Sequence, residues 1–560
     1  MNMSKTFRIW WIGLCLLFMA LPVSAQKFFN LTSDEVKVDS VLPQFIYSYP
    51  LQGDYLDSIY TVELKYPEYI DMSADDIVHY NHLSGAILPG QVVVNQKVME
   101  CRKKGVLMIS LSPLLFRQNR YQALVSFMLD VKAQPLKRAQ QEAGKENLMK
   151  SRAAGKSASL YADHSVLASG AWAKIRVSQS GIHQLTDAVV RQAGFSNINK
   201  VKIYGYGGNL QNEALIAGEL KKLDDLQEVP QCIVDGKHYF YAKGPVSWED
   251  KTSIQRIRNP YSDYGYYFIT QTGEEPAQMD SATFISTYFP QAEDYHSLYE
   301  KDGYSWFPGG RNLFDPTEVP LGGKQQVAIV NQTGSSNGKL TVGVTMGVNG
   351  SVEVLKNGVY LGTITLQKSV TSDASYQMAV ESFATYPLKD LSEKDTITLL
   401  PKTGGPMHLD YVAMTWEKPV PFPGFTGMVP AAQYVYGITN QDHHADGAAD
   451  MVIIIPTSQK LLKQAKRLKE FHETHDGLRV TIVPADELYN EFASGTPDAN
   501  AYRRYLRMLY DKAQTEADMP KYLLMFGDCV WDNRMLTASC KTLNPDDYLL
   551  CYESEESFCK

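Results

Sequence analysis

Tyr60, Val62, Leu64 and Tyr66 alternate with Thr61, Glu63 and Lys65. This period of two predicts a strand with one buried face. Residues 121–131 alternate in the same way, so residues 26–133 are expected to form a β-rich N-terminal domain. Between 134 and 161 the apolar period gives way to Lys, Arg, Gln, Ala, Gly and Ser. That composition suits a solvated linker or long loop better than a docking site for an anion. Residues 162–284 read as mixed, with strands at 172–177 and 201–204 and a short helix from Thr186 stopped by Gly194. Residues 285–423 read as a β-sandwich. Leu340, Val342, Val344 and Met346 alternate with small or polar residues, and Asn357-Gly358 between two apolar pairs predicts a hairpin. Further strands are expected at 397–400 and 409–416, before a stiff boundary at Pro419, Pro421 and Pro423.

Beyond that boundary, at 424–560, the period changes. Residues 451–455 are a continuous apolar run, as in a strand buried on both faces. Ser458 is placed to cap a helix carrying Leu461, Leu462, Ala465, Leu468 and Phe471, with Gly477 as its stop. A strand at 480–483, a short helix at 486–492, a helix capped by Asp498 and a strand at 522–526 follow. The order β-α-β-α-β implies a parallel sheet with right-handed crossovers. The predicted class is therefore multidomain: β-rich regions and a β-sandwich, then an incomplete α/β domain with a parallel sheet.

Composition bounds this picture. The 560 residues suit three to five domains. The net charge of −8 argues against a nucleic-acid partner. Lys5 and Arg8, an apolar stretch at 9–21 and Val23-Ser24-Ala25 make residues 1–25 a cleavable export signal. The stretch is shorter than the roughly 20 residues that span a bilayer. With seven cysteines the chain is not a disulfide scaffold. Cys529, Cys540, Cys551 and Cys559 are spaced too irregularly for a zinc ribbon. Either they pair in an oxidising compartment or one is reactive.

Candidate chemistry belongs beyond the carboxyl ends of the parallel strands. Two loops qualify: Pro456-Thr457-Ser458, and Gly527-Asp528-Cys529 with Trp531, Asp532 and Asn533. Cys529 is a candidate nucleophile by position, but a thiolate needs a base or a positive environment. His472 and His475 fall at the end of a helix that points away, so a packed cysteine is the expected state. Asp528, Asp532 and Asn533 are weak candidates for calcium, which wants several oxygen ligands. No cofactor is required. Asp442-His443-His444 with Asp446 and Asp450 is a weaker metal candidate, expected as an exposed loop. Gly205-Tyr206-Gly207-Gly208 follows a strand but lacks the spacing and the helix of a nucleotide loop, so a tight turn is expected. Trp306, Phe307 and Trp416 either line a glycan groove or fill a core.

Several motifs carry a family resemblance. The run 522–528, ending in Gly527-Asp528, followed by Trp531-Asp532-Asn533-Arg534, resembles a block of the gingipain-like cysteine peptidases. The run 489–498 with Tyr502-Arg503-Arg504, the runs 165–170 and 205–208, and the run 259–267 resemble, more narrowly, the type IX secretion system sortases of the Bacteroidetes. The resemblance implies a gingipain- or caspase-like fold. It implies a cysteine-type peptidase and transpeptidase that removes C-terminal sorting domains from exported cargo and joins the cargo to anionic lipopolysaccharide. Other outer-membrane secretion components would be its partners, and its place would be the periplasm to the outer membrane surface. The family's catalytic histidine and cysteine lie on later strands, downstream of Lys560. No catalytic residue is therefore assigned in this chain, and the chain by itself is expected to be inactive. Two other readings stay open: a non-enzymatic envelope binding or scaffold protein, and a secreted degradative cysteine protease.

Overall fold

The alternation that predicts the first strands fixes their partners. Arg120–Pro135 pairs antiparallel with Ser24–Asn30 on one side and Ser58–Asp71 on the other. A second sheet has the order Phe45–Pro50, Lys104–Leu111, Asn95–Cys101. Leu107, Ile109 and Leu111 pack with Leu124, Phe127 and Leu129 in one core, which Tyr60, Val62 and Leu64 join. Tyr66 does not follow its alternating neighbours. Its φ is +49°, the ladder shifts register beside it, and its ring is 68% exposed. A bulge there turns the side chain off the buried face.

The computed structural model describes residues 24–38, 42–51, 55, 58–83, 87–101, 104–135, 160–368 and 378–554. All but the last two residues of the predicted export signal, most of the predicted linker and Cys559 lie outside them. The chain forms two units, residues 1–159 and 160–560. Among the described residues no helix is long and apolar enough to cross a membrane, which says nothing of spanning strands.

Three of the sheet systems in the second unit position the site. A five-stranded sheet has the order Glu228–Val229, Val201–Tyr204, Gly265–Gln271, Trp172–Val177, Gln433–Ile438. Its last strand comes from beyond the Pro boundary, so the chain returns to this sheet before entering the α/β region. The sandwich has two four-stranded sheets. Leu340, Val342, Val344 and Met346 on Gly338–Met346 share a core with Val352, Val354, Ile397 and Leu399 of the facing sheet. Asn357 and Gly358 both take positive φ, +50° and +83°, as a two-residue hairpin turn of this hand requires. The polar face of Gly338–Met346 is covered as well: Thr345 Oγ1 accepts from Trp306 Nε1 at 3.0 Å and donates to the Val380 carbonyl at 2.9 Å.

The parallel sheet has the order Val480–Pro484, Met451–Ile455, Tyr522–Met525. Its central strand is apolar throughout because each face meets a helical layer. Val452 and Ile454 pack with Leu488, Phe492 and Tyr505, from the helices Ala485–Phe492 and Asn500–Lys512. Ile453 and Ile455 pack with Ala465 of Leu462–His475. Ser458 does not cap that helix. A turn through Gln459, at φ +53°, delays its start, and the Ser458 N–H donates to the Asp546 carbonyl. Gly477, at φ +65°, ends it as expected, with the Leu478 N–H returning to the His472 carbonyl. Asp498 does hold the start of Asn500–Lys512, accepting from the Asn500 N–H at 2.8 Å.

Ile454 is fully buried between strand and helices. Ile454→Ala is expected to cost about 2–5 kcal/mol of stability, read from the shift in denaturant midpoint. A loss below about 1 kcal/mol would mean that this layer is loosely packed.

Candidate functional site

A second sheet stands against part of the carboxyl edge of the parallel sheet. A cavity of about 360 Å³ lies there. Thr457 follows the central strand into it and Asp486 follows Val480–Pro484. Val530, Asn533 and Arg534 enter from beyond the third strand, beside Leu549 and Leu550. The opposite wall comes from the five-stranded sheet: Lys174, Tyr264, Tyr266 and Tyr436.

The two walls are joined by the motifs that carried the resemblance. The Tyr206 and Gly207 N–H groups donate to Ser494 Oγ at 2.9 and 3.2 Å, and that hydroxyl donates to the Tyr266 carbonyl at 3.0 Å. Thr496 Oγ1 accepts from the Tyr266 N–H at 3.2 Å and donates to the Gly207 carbonyl at 3.1 Å. A side chain on Gly207 would stand 2.4 Å from the Lys243 carbonyl oxygen, and one on Gly205 2.5 Å from Ser494 Oγ. Both glycines have positive φ. The glycine cluster is thus a tight turn whose lack of side chains lets the Ser494–Thr496 loop dock on its backbone.

Arg534, the last residue of the Asp-Asn-Arg block, is a second joint. It bridges Asp263 at 2.9 Å and Asp302 at 2.6 Å, and Arg258 holds Asp263 at 2.6 Å and Glu300 at 2.9 Å. Asp528, Asp532 and Asn533 do not converge as a cation site. Asp528 accepts from the Cys529 N–H. Asp532 accepts from the Leu536 and Thr537 N–H groups, and Asn533 bonds both backbone groups of Cys551. Among the described residues no three His, Cys, Asp or Glu side chains gather to hold a metal ion.

Cys529 is exposed rather than packed, because it starts a two-residue parallel ribbon at the sheet's rim. Its thiol meets Cys551, not a histidine. Burial and the Cys529 thiol push Cys551 up to about 12. Cys529, Cys540 and Cys551 are free thiols. His472 bonds Asp476 and His475 stacks on Phe471, both at the end of Leu462–His475 that leads into the amino edge of the sheet.

His443 and His444 are not on an exposed loop. His443 bonds Asp446 at 2.8 Å and Glu487 at 2.7 Å; His444 is buried between Glu491 at 2.6 Å and Asp224 at 3.3 Å and stacks on Phe492. Burial alone would lower both imidazoles. The facing carboxylates outweigh it and raise His443 to about 10 and His444 to about 9. Adjacent histidines point to different partners, as the chain geometry demands. Trp416 lies in the sandwich core, and Trp306 and Phe307 line a cavity of only about 40 Å³.

Lys174 and Asp486 carry no motif and were not legible as site residues. Lys174 lies on the strand expected at 172–177, which by itself says nothing of a site. It is 4% exposed, and burial lowers it to about 8 against the pull of Asp486 and Asp546. Burial, with Glu487 next, raises Asp486 to about 6.

The parallel sheet and its flanking helices fall within one stretch. Residues 444–558 match the model of peptidase family C25. This region has a gingipain-like cysteine-peptidase fold. The crystal structure of dimeric latent PorU from Porphyromonas gingivalis is similar over 73% of this chain at 24% identity, with a TM-score of 0.59. The chain spans 46% of that protein's length. CBM35 from Cellvibrio japonicus Abf62 matches over 21% of this chain and 92% of its own at 16% identity, but a TM-score of 0.16 bears no weight. No curated protein matches the chain.

Ser494→Ala removes the side-chain partner of the Tyr206 and Gly207 N–H groups and of the Tyr266 carbonyl. The expected loss is about 1–3 kcal/mol, with faster amide exchange at Tyr206 and Gly207; unchanged exchange there would refute the joint. The raised histidines set a pH window. Their folded values exceed the unfolded value of about 6.5, so each binds its proton more tightly when folded. Their contribution is complete below about 6.5 and is lost as pH rises through about 9 and 10. Thermal melts from pH 6 to 10 should show this loss, and His444→Gln should flatten it.

Proposed function

We propose that this chain supplies the amino-terminal regions and the first part of the peptidase domain of a cell-surface sortase. The enzyme removes C-terminal sorting domains from exported cargo and joins the new carboxyl end to an amine of surface lipopolysaccharide. The observation that carries the reading is the cavity at the carboxyl edge of a C25-type parallel sheet, held in place by Ser494 and Thr496. That edge is where open parallel sheets place their chemistry. In this reading a cysteine thiolate attacks the scissile carbonyl, the peptide C–N bond breaks, and a histidine gives its proton to the leaving amine. The acceptor amine then attacks the thioester, the C–S bond breaks, the amine's proton passes to the histidine, and the thiolate and protonated histidine are restored. Backbone N–H groups hold the oxyanion in both steps.

Cys529 is not the nucleophile in this scheme, since the thiol beside it is Cys551 and no histidine stands there among the described residues. The pair is assigned to strands that extend the sheet. The N-terminal signal would deliver the protein to the periplasm, and docking with outer-membrane secretion components would take it to the surface.

The reading frame beyond Lys560 is expected to encode a histidine and a cysteine at the ends of further strands. A stop codon directly after Lys560 would sink the enzyme reading. With the continuing chain present, a reporter cargo with a sorting domain should yield a product joined to an added amine, and Cys529→Ala should leave the rate within about twofold, well inside one tenfold step of 1.36 kcal/mol. Release of the free acid alone would assign degradation instead. Loss of activity in Cys529→Ala would restore Cys529 as the nucleophile.

A further inference from the structure

We infer that the cavity at the carboxyl edge selects a neutral carboxamide, the side chain of glutamine or asparagine in a peptide, by holding it between Lys174 and Asp486. This inference rests on the reading of the cavity as a peptide site.

Both residues line the cavity, one from each wall. Each acts electrostatically on the other, yet no ion pair joins them among the described residues. Lys174 is anchored by one hydrogen bond, to Asn490 Oδ1 at 3.3 Å, and by the ring faces of Tyr266 at 4.6 Å and Tyr436 at 5.7 Å. Asp486 Oδ1 is buried with no hydrogen-bond partner among the described residues. The floor of the site thus presents a donor and an acceptor across a gap, between aromatic walls. Of the other acidic groups lining the cavity, Asp263 is held by Arg258 and Arg534, and Asp546 sits exposed at the rim.

A primary amide offers a carbonyl to the ammonium and two N–H donors to the carboxylate. A carboxylate would satisfy Lys174 but face Asp486. An ammonium would satisfy Asp486 but face Lys174. An alkyl group would leave both polar groups dry. Sites with buried polar groups reject ligands that leave them unpaired far more strongly than apolar sites reject a missing methylene. The volume of about 360 Å³ admits such a side chain.

The probes are N-acetyl-Gly-X-Gly-amide peptides with X as Gln, Asn, Glu, Lys or Leu, titrated into the full 560-residue chain at pH 7. The Gln or Asn peptide should bind at least about tenfold tighter than the other three, a step of 1.4 kcal/mol. Lys174→Met should shift the preference to the Lys peptide, and Asp486→Asn should shift it to the Glu peptide. A merely structural role would weaken all peptides alike and reverse no order. If Lys174→Met does not fold, Asp486→Asn decides. Tightest binding of the Glu, Lys or Leu peptide to the unaltered chain, or an order unchanged in a folded variant, would overturn the inference. Equal binding of all five overturns the amide selection alone, whereas binding of none overturns the peptide-site reading with it.

Discussion

The Ser494 hydroxyl is the contact on which the functional half of the molecule depends. It lies buried, takes two backbone N–H groups from the turn after Val201–Tyr204 and gives its proton to the Tyr266 carbonyl. Buried backbone groups left unpaired are costly, so the turn and the loop are stable only together. Thr496 repeats the arrangement two residues on, with one bond to each of the same two segments. Five backbone groups of the five-stranded sheet and the turn beside it are thereby tied to one short loop of the α/β region. The side-chain-free turn is the condition for this, because a Cβ at Gly205 or Gly207 would occupy the space the loop and its neighbours fill.

A second joint is electrostatic. Arg534 and Arg258 share Asp263, and Arg258 reaches Glu300, which also holds Arg256. Arg256 continues to Asp410 on the sandwich strand Met407–Trp416. The chain of charges runs from the C25 region through the segment 256–263 to the sandwich. Buried ion pairs of this kind add little net stability because desolvation offsets their attraction. Breaking one leaves a bare charge in the interior, which costs more than the intact pair contributes.

Together the joints explain why the carboxyl edge of the parallel sheet is walled. An α/β sheet alone would leave its strand ends open to water. Here the five-stranded sheet brings a lysine and three tyrosines against that edge, and the low-dielectric setting that results moves Lys174 down and Asp486 up. The accessory sheet therefore belongs to the site and is more than a support for it.

The one-dimensional pattern determined what local physics controls. The doubly buried run at 451–455, the stop at Gly477, the Asn357-Gly358 hairpin and the parallel order of the last three strands follow from side-chain period, backbone freedom and chain direction, and each is found in place. The pattern also marked the segments 205–208, 259–267 and 489–498 as special without showing that they meet. Only the tertiary structure decided that, because their bonds join residues more than two hundred positions apart through backbone groups that carry no sequence signal. For the same reason Lys174 carried no signal of a site, and His443 and His444 read as an exposed loop. Burial is decided by what packs over a residue, and the covering elements lie far along the chain.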